Sequence, residues 1–534
     1  MAPPRADYSV YLVTARSQVP AGVDYLDALR AALKGGVTLV QIREKDVETD
    51  EFLDIARKSL EVCDEFKVPM LINDNLSVAL ALAPHVGLHI GQSDLPVSQA
   101  RALLGPDRLL GISVHSVEQA RDARTSGADY AGVGPIYGTQ SKAGIVDDDV
   151  LGARQAAQII EALDGLPAVL IGGLNQQTAA RALFGASSPT AAPAGIAVIS
   201  AIMARKDTEV AASELAEQVA AFKASRAEQS AEQLRAAFGA GSSTDVKALV
   251  ERSALLLSSL RNGSPPLIQT LTSHVSSTLS ANVTLALGGS PIMSAQEAEA
   301  DDLGKVTGAV VLNIGTIGAE SRRGMKAVGS AANRGRKPVV LDPVGVGASA
   351  FRKAAVNEIM DHTQITLLKG NAAELSAIAG LSEVTSRGVD SGAGSLSDPI
   401  GLVSSLARRE RCLVLLSGKT DYLSDGARTL ACENGHALLG AITGSGCALG
   451  VAIATGLAAA NSAGEAQKST MVKAQPDDLI AGALMGLLCM TIASELAAAR
   501  PEVRGPGTFI AALLDALAAM DAETLVQHAK VRLV

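Results

Sequence analysis

The sequence predicts an α/β protein with two domains, an N-terminal TIM (β/α)8 barrel followed by a C-terminal open α/β sheet. The chain has 534 residues, which is too many for a single hydrophobic core. Between residues 10 and 222, short apolar runs alternate with amphipathic segments with the regularity of a barrel. From Lys223 to Asp245 the composition turns to Ala, Glu, Gln, Ser and Gly, and the regular alternation ends there.

The overall composition indicates a well-buried enzyme, because 48% of the residues are hydrophobic and 19% are charged. Aromatic residues make up only 2% and the net charge is -9, so neither a nucleic-acid nor a membrane partner is expected. The N-terminus lacks the apolar segment of a signal peptide, and the apolar run from Leu479 to Ser494 is too short to span a bilayer. With five cysteines and no CxxC pair, a cytoplasmic protein is expected.

Eight strands are predicted in the first half, each followed by a helix or its equivalent. Their expected bounds are Val10–Val13, Val37–Ile42, Met70–Ile72, Gly87–Ile90, Leu109–Ser113, Tyr130–Val133, Ala168–Ile171 and Gly195–Ile199. A doubly wound sheet is the alternative, but eight regular repeats favour a closed barrel. Because a TIM barrel places its active site at the carboxyl ends of its strands, the residues that follow each strand are the candidates.

The second predicted strand ends in a polar segment, QIREK, in which Gln41, Arg43 and Lys45 alternate. Because alternate side chains of an extended chain point the same way, these three converge on one ligand. Two cations beside an amide suit a polyanion such as a diphosphate. A solvated strand end is the simpler interpretation of one basic residue, but seven of the strand ends carry polar or glycine-rich segments.

Two carboxylates follow neighbouring strands, Asp74 after the third and Asp94 after the fourth. Hard oxygen ligands suit Mg²⁺ that bridges phosphate oxygens, although either residue could instead cap a helix. Lys142, after the sixth strand, would help to neutralise a diphosphate. Backbone amides at residues 172–173 and 199–200 predict a second phosphate pocket, without metal, after strands seven and eight.

The segments QIREK, INDN, HIGQSD, GVGPIYGTQSK, IGGL and VIS together resemble thiamine-phosphate synthase over roughly residues 7 to 222. The resemblance implies condensation of 4-amino-5-hydroxymethyl-2-methylpyrimidine diphosphate with hydroxyethylthiazole phosphate, giving thiamine phosphate and diphosphate. It also implies that Lys142 and Ser113 take part in catalysis and that Asp74 and Asp94 hold Mg²⁺. The residues implied for the pyrimidine diphosphate are Gln41, Ile42, Arg43, Glu44, Lys45, Asn73, Ser113 and Lys142. Those implied for the thiazole phosphate are Thr139, Gln140, Ser141, Gly173, Ile199 and Ser200.

The chemistry of such a condensation requires little beyond charge stabilisation. Loss of diphosphate leaves a pyrimidinylmethyl cation that the thiazole nitrogen attacks, so stabilising the leaving group and positioning the nucleophile suffice. No general base is required, and the sequence offers none. Substitution of Lys142 by Ala is expected to abolish nearly all condensation while sparing any reaction of the second domain.

The domains are expected at residues 1–225 and 246–534, joined by a linker over residues 226–245. Four strands are predicted in the second domain, at Ala309–Asn313, Val339–Asp342, Ile365–Lys369 and Leu413–Ser417. Helical stretches separate them without another eightfold repeat, which favours an open α/β sheet.

Two segments of the second half carry chemistry. Asn371 and Glu374, in KGNAAE, are spaced to share a helix face and could organise Mg²⁺ and its waters, or only cap a helix. The segment from Thr443 to Cys447, TGSGC, opens a helix whose free amides can stabilise a transferring phosphoryl group. At that N-terminus the pKa of Cys447 would be lowered and the thiolate could accept a proton, although a lone cysteine more often only packs.

The segments GSPIM, LNIGT, VVLDPVGVGA, KGNAAE and TGSGC resemble hydroxyethylthiazole kinase, of the ribokinase-like group, over about residues 246 to 534. The resemblance implies ATP as co-substrate, Cys447 as the proton acceptor, and contacts from Met293 and Gly444 to the thiazole alcohol. The residues implied for ATP are Lys369, Ser417, Asn371 and Glu374. The chain departs from the family at Thr270–Ser273, TLTS, where Asn or His usually precedes Thr-Asn, and at Lys369, where Arg is common.

The two implied reactions are consecutive, because the kinase would make the phosphate that the synthase consumes. The chain therefore resembles a fusion of the two families, of the type seen in fungi, and the resemblance implies a homo-oligomer, a trimer or hexamer. One alternative is an unrelated phosphosugar-handling barrel fused to a sugar kinase, which gives no reason for a Mg²⁺-diphosphate pocket. Another is an active synthase barrel with a catalytically silent kinase-like scaffold that only drives oligomerisation.

Overall fold

A computed structural model describes residues 6–45, 47–139, 141, 149–188, 190–228, 245–381, 386–387, 390–391, 396–463 and 476–534. The chain divides into two compact units, residues 1–230 and residues 231–534. The last described helix of the first unit ends at Glu228, and the first described helix of the second unit begins at Val246. Most of the predicted linker thus lies outside the described residues.

The first unit is a closed barrel of eight parallel strands in chain order. Its strands are β1 Val10–Val13, β2 Leu39–Ile42, β3 Met70–Asn73, β4 Gly87–Ile90, β5 Leu110–Val114, β6 Tyr130–Val133, β7 Ala168–Ile171 and β8 Gly195–Val198. The barrel closes where β1 pairs with β8, with Leu12 opposite Val198. The predicted TIM barrel is confirmed: four strands have the predicted bounds, and the other four differ by one or two residues at one or both ends.

Nine helices are described in this unit, at α1 Tyr25–Lys34, α2 Thr49–Glu65, α3 Leu76–Ala81, α4 Val97–Leu104, α5 Val117–Thr125, α6 Gly152–Ala162, α7 Ala179–Gly185, α8 Ser200–Met203 and α9 Thr208–Glu228. Several begin at a side-chain cap, as where Asp24 accepts hydrogen bonds from the backbone at the start of α1. Their apolar faces pack on the outside of the barrel in one large hydrophobic cluster.

The alternation of side chains along each strand decides what faces the barrel interior. On β1, Val10 and Leu12 point outward into the cluster shared with the helices, while Tyr11 and Val13 belong to a second cluster inside the barrel. On β2, Leu39 is inside and Val40 is outside, so Gln41 follows as the next inward residue. The inward-facing residues of these two strands are therefore Tyr11 and Val13 on β1, and Leu39 and Gln41 on β2.

The second unit contains a nine-stranded sheet in the order β10-β9-β11-β12-β13-β16-β17-β18-β19. The strands are β9 Leu267–Leu271, β10 Ser290–Ile292, β11 Thr307–Asn313, β12 Val339–Asp342, β13 Leu367–Gly370, β16 Leu413–Leu416, β17 Asp421–Ser424, β18 Thr429–Cys432 and β19 Val531–Leu533; β14 Ser386–Arg387 and β15 Asp390–Ser391 form a separate ribbon. The strands from β10 to β16 are parallel, and β17, β18 and β19 continue antiparallel. The predicted open α/β sheet is confirmed.

Helices cover both faces of this sheet, since Ala309 and Val311 of β11 pack in one cluster and Val310 and Leu312 in another. The described helices are α10 Val246–Asn262, α11 Ser277–Leu287, α12 Ala300–Val306, α13 Ala319–Arg334, α14 Ala350–His362, α15 Ala372–Ala379, α16 Pro399–Glu410, α17 Ser445–Ala463, α18 Pro476–Ala498, α19 Pro506–Ala519 and α20 Ala522–His528.

Helices α17 and α18 are long and apolar enough to cross a membrane by length and composition, yet 72% and 89% of their most apolar windows are buried within the unit. The two helices approach each other closely at glycines. A Cβ added to Gly456 would lie 2.1 Å from the carbonyl oxygen of Gly482, which no other residue could accommodate without a shift of the backbone. The burial is that of a helix pair in a protein core.

Candidate active sites

The carboxyl ends of the barrel strands surround a cavity of about 720 Å³. This is where parallel strands in a closed ring bring the residues after every strand to one rim. Of the described residues predicted to bind substrate or metal here, all but two line the cavity. The residues that line it are Gln41, Arg43, Lys45, Asn73, Asp74, Asp94, Ser113, Thr139, Ser141, Gly173, Ile199 and Ser200.

Ile42 and Glu44 are not among the residues that line the cavity, and their predicted contacts with the pyrimidine diphosphate stay predictions. Ile42 is fully buried in the cluster between barrel and helices, because it alternates with the inward-facing Gln41. The carboxylate of Glu44 accepts a hydrogen bond from Arg16 Nε over 2.9 Å, and Arg16 also binds Glu51. Gln140 and Lys142 lie outside the described residues, so their predicted roles stay predictions.

A cation and two carboxylates meet on the side of the cavity formed by β2, β3 and β4. Lys45 Nζ donates to Asp74 Oδ2 over 2.9 Å, and the side chains of Asp74 and Asp94 are hydrogen bonded to each other. The backbone amide of Gly91 donates to Asp94 Oδ2 over 2.7 Å. Asp74 is held at φ +60°, a left-handed conformation that Asp tolerates better than most residues, and this aims its carboxylate at Lys45.

The two carboxyl groups have pKa shifts of opposite sign. Burial opposes ionisation of Asp74, but hydrogen bonds from Lys45 and Asp94 and the Lys45 charge outweigh it and hold the pKa of Asp74 below its ordinary value. Burial and the neighbouring Asp74 raise the pKa of Asp94, against the Gly91 amide. Two adjacent carboxyl groups form an oxygen donor set that fits Mg²⁺, which usually takes one or two carboxylates together with water and phosphate.

The opposite side of the cavity, at β6, β7 and β8, consists largely of backbone. Gly172 and Gly173 have φ values of +98° and +65°, and a Cβ on Gly173 would lie 2.7 Å from the Gly138 carbonyl oxygen. Ser141 Oγ lies 3.5 Å from Ser200 Oγ, which joins the loops after β6 and β8. Such close loops expose backbone amides and hydroxyls suited to a monoanionic or dianionic phosphate rather than to a metal.

The sequence did not single out three further residues at the cavity, Tyr11, His89 and Tyr130. Tyr11 and His89 line the cavity directly, and Tyr130 lies fully buried beneath them. The only available signals were the inward register of two tyrosines on predicted strands and the position of His89 within HIGQSD. Neither signal indicates that the three side chains meet, since they lie on β1, β4 and β6.

In the second unit, four polar side chains meet at the carboxyl edge of the parallel strands. Asn313 at the end of β11 donates to Asp342 Oδ2 over 2.7 Å and to Cys447 Sγ over 3.2 Å. Lys369 Nζ donates to Asp342 Oδ1 over 3.1 Å. Cys447 lies in the first turn of α17, so the cluster joins three strand ends to a helix N-terminus, as in many open α/β enzymes.

The predicted low pKa of Cys447 is wrong. Burial and the charge of Asp342 raise the pKa of the Cys447 thiol, and together they outweigh Lys369, Ser276 and Asn313. Burial also raises the pKa of Asp342, while burial of Lys369 is outweighed by the charges of Asp342, Glu374 and Cys447, which raise the pKa of Lys369. The cluster thus favours a neutral Cys447 thiol beside the buried pair of Lys369 and Asp342.

Asn371 and Glu374 form a capping box at the start of α15. Asn371 Oδ1 accepts from the Glu374 amide over 3.0 Å, and Glu374 Oε2 accepts from the Asn371 amide over 2.9 Å. Glu374 Oε1 also accepts from the Gly345 amide over 3.0 Å, which ties the loop after β12 to this helix. The helix-cap interpretation therefore holds locally, and the predicted contact with ATP or with metal-bound water stays a prediction.

The remaining predicted kinase residues lie at the same edge of the sheet. Ser417 follows β16, and its amide donates to the carbonyl of Gly370 at the end of β13. Met293 follows β10 with 39% of its surface exposed. Gly444 has φ +83° and would place a Cβ 2.8 Å from that of Ser276, so the loop before α17 packs tightly on the segment after β9.

The segment that departs from the family pattern lies against this loop. Ser276 Oγ is 3.0 Å from Thr272 Oγ1 and 2.8 Å from Ser273 Oγ, and it is also within hydrogen-bond reach of Cys447. Hydroxyls take the place of the expected amide, and they both donate and accept.

Comparisons with known proteins agree with both halves of this description. The thiamine monophosphate synthase family model matches residues 10–202, and the hydroxyethylthiazole kinase family model matches residues 257–523. The probable thiamine biosynthetic bifunctional enzyme of Schizosaccharomyces pombe is 36% identical over 533 residues, covering 97% of this chain and 96% of the relative. The thiamine biosynthetic bifunctional enzyme of Saccharomyces cerevisiae is 32% identical over 544 residues, covering 96% and 95%. A solved hydroxyethylthiazole kinase from Pyrococcus horikoshii is 34% identical, with a TM-score of 0.45, and the match covers 53% of this chain and 98% of that one.

The fold and the family models define an enzyme that combines a TIM barrel of thiamine monophosphate synthase type with a hydroxyethylthiazole kinase-like α/β unit. Near full-length identity above 30% settles the family. The chain belongs to the family of thiamine biosynthetic bifunctional enzymes.

Proposed function

We propose that the chain catalyses two consecutive steps, phosphorylation of hydroxyethylthiazole with ATP in the second unit and condensation to thiamine phosphate in the barrel. The observation that carries the condensation is the division of one cavity into a cationic, carboxylate-bearing side and a glycine-rich backbone side. A volume of about 720 Å³ is within the range of sites for small ligands. Family membership supports both activities and does not favour a silent second unit.

On the first side, we infer that Arg43 and Lys45 bind the diphosphate of the aminopyrimidine substrate and that Asn73 positions it. Gln41 and Ser113, deeper in the barrel, would meet the pyrimidine ring. Asp74 and Asp94 would hold Mg²⁺, which when bound neutralises charge on the departing diphosphate. Lys45 forms an ion pair with Asp74, and it can exchange this carboxylate for a phosphate oxygen when substrate binds.

On the second side, the loops at Thr139–Ser141, Gly173 and Ile199–Ser200 would bind the phosphate of the thiazole. Anchoring both substrates by their anionic ends places the thiazole nitrogen against the pyrimidine methylene carbon. The C–O bond to diphosphate breaks, its electron pair leaves with the diphosphate, and the nitrogen lone pair forms the new C–N bond. Positioning and leaving-group stabilisation supply the catalysis, and no protein base is needed.

In the second unit, Met293 and Gly444 would contact the thiazole alcohol, while Lys369, Ser417, Asn371 and Glu374 would serve ATP. The first turn of α17 offers backbone amides to the transferring phosphoryl group. Cys447 would receive the alcohol proton. Its raised pKa makes the thiolate a better proton acceptor, but the same raised pKa makes the thiolate scarce before the reaction.

The experiment supplies the purified full chain with thiazole alcohol, ATP, Mg²⁺ and the pyrimidine diphosphate. Thiamine phosphate, ADP and diphosphate are expected together. Formation of thiamine phosphate from added thiazole phosphate, without ADP formation from thiazole alcohol, would identify the second unit as a silent scaffold. The domain bounds 1–225 and 246–534, cytoplasmic location and a homo-oligomer, a trimer or hexamer, stay part of the proposal, and light scattering tests the last.

A further inference from the structure

Inside the barrel, five side chains form one continuous chain of hydrogen bonds that runs from Gln41 to Ser113. Gln41 Nε2 donates to the Tyr11 hydroxyl over 2.5 Å, and the Tyr11 and Tyr130 hydroxyls are 2.7 Å apart. The Tyr130 hydroxyl is 2.8 Å from His89 Nδ1, and His89 Nε2 is 3.1 Å from Ser113 Oγ. The chain begins and ends at residues that line the cavity, and its middle is buried.

The direction of these hydrogen bonds follows from the number of hydrogens available. Each tyrosine hydroxyl carries one hydrogen, because burial raises the pKa of both Tyr11 and Tyr130. A neutral imidazole has one donor and one acceptor nitrogen, and those of His89 meet the Tyr130 hydroxyl at Nδ1 and Ser113 Oγ at Nε2. With Gln41 donating to Tyr11, every group is satisfied only if Tyr11 donates to Tyr130, Tyr130 to His89 Nδ1, and His89 Nε2 to Ser113.

This direction decides what the cavity presents to a ligand. Gln41 donates one of its two N–H groups to Tyr11, and its carbonyl oxygen takes no part in the chain, so this oxygen is left as an acceptor for a ligand in the cavity that Gln41 lines. Ser113 Oγ already accepts from His89, so its own hydrogen is free to be donated outward. Reversal of the amide at Gln41 would reverse every bond in the chain and exchange acceptor for donor at both ends.

We propose that Tyr11, Tyr130 and His89 are positioning residues that couple Gln41 to Ser113 and select a ring with an amine donor beside a nitrogen acceptor. The proposal rests on the proposed condensation, since an aminopyrimidine carries this pattern. The corresponding 4-oxo pyrimidine carries the opposite pattern, an N–H donor beside a carbonyl acceptor. To match this pattern through the same two groups, every hydrogen bond of the chain must reverse its direction together. An independent flexible side chain could instead reorient alone.

The test compares kcat/KM for the aminopyrimidine diphosphate and its 4-oxo counterpart in the full chain, with thiazole phosphate and Mg²⁺. Because each ratio is taken within one preparation, the fraction of folded enzyme cancels. Tyr130→Phe interrupts the chain at its centre while leaving both ends in place, and Tyr11→Phe interrupts it beside Gln41. We expect either variant to lower the preference for the amine by about tenfold, the value of one to two hydrogen bonds.

Tyr8→Phe is the matched control, because Tyr8 packs on Tyr130 inside the same barrel with ring centroids 5.0 Å apart but is not one of the five. It should leave the ratio unchanged. Equal losses for both pyrimidines in Tyr130→Phe and Tyr11→Phe, with an unaltered ratio, would reduce the three residues to a packing role and overturn the proposal. A wild-type chain that forms no thiamine phosphate from the amine would instead overturn the proposed condensation, and this inference with it.

Discussion

Lys369 and Asp342 form an ion pair of 3.1 Å in which only 5% and 1% of the two side chains are exposed. The residue predicted to contact ATP is therefore engaged, before any ligand binds, with the carboxylate at the end of the neighbouring strand β12. Its Nζ also lies beneath the first turn of α17, 3.4 Å from where a Cβ on Gly446 would be. A phosphate arriving at this turn would meet a lysine already oriented by Asp342.

Lys369→Met should destabilise the second unit by about 3–5 kcal/mol, because it leaves the Asp342 carboxylate buried without its partner. The double variant Asp342→Asn with Lys369→Met should recover most of the lost stability but no kinase activity. Calorimetry of the full chain measures the stability of both variants, and ADP formation measures their kinase activity. Lys305→Met is the control, since Lys305 pairs with Asp302 on the surface, where solvent screens the two charges, and its loss should leave stability almost unchanged. Equal effects of the two lysine variants would contradict the buried-pair interpretation.

Asp94→Asn should raise the thermal stability of the metal-free barrel near pH 8 while lowering condensation by a hundredfold or so. The pKa of Asp94 is raised in the folded state, so its ionisation with rising pH costs stability, which an amide avoids. The advantage of the variant should vanish at low pH, below the ordinary pKa of Asp. Melting curves with and without Mg²⁺ check this, and Mg²⁺ should stabilise the wild type more than the variant. Asp54→Asn, on the exposed face of α2, is the control and should show neither effect.

Cys447 should react slowly with iodoacetamide at neutral pH. The pH at which its reaction rate is half maximal should be higher than the pH typical of a free cysteine. Burial and Asp342 disfavour the thiolate, against the dipole of α17. Asp342→Asn should move the midpoint down. Peptide mass spectrometry separates Cys447, which is partly exposed, from the buried Cys63, Cys412, Cys432 and Cys489. A midpoint below that of free cysteine would restore the low-pKa prediction.

Glu374→Gln should destabilise the second unit by about 1–3 kcal/mol, since one of the two backbone donors, at Asn371 or Gly345, then faces an amide N–H. The loop after β12 would loosen, and the KM for ATP should rise while condensation is unaffected. Glu523→Gln alters an exposed helix residue and serves as the control. An unchanged KM for ATP together with unchanged stability would show that the hydrogen bonds from Glu374 to the Gly345 and Asn371 amides do not stabilise this loop.

Much of the barrel site could be predicted because it depends on local periodicity. Alternation along β2 sends Gln41 inward, and parallel strands in a ring bring Asp74 and Asp94 to one rim. The same alternation turns the side chain of Ile42 away from the cavity that Gln41 and Arg43 line. The hydrogen-bond partner of Glu44 could not be predicted in this way, because Arg16 donates to it from the loop after β1.

The sequence by itself determined the closed barrel, the open α/β sheet, and most of the residues gathered at their carboxyl edges, because strand period and strand-end chemistry are written along the chain. Tertiary structure alone decided the charge state favoured at Cys447, the tie from Glu374 to Gly345, and the chain from Gln41 to Ser113. These depend on partners such as Asn313 and Cys447, or Tyr11 and Tyr130, which are 134 and 119 residues apart. Distances across a folded core, and the burial that sets each pKa, have no local signature.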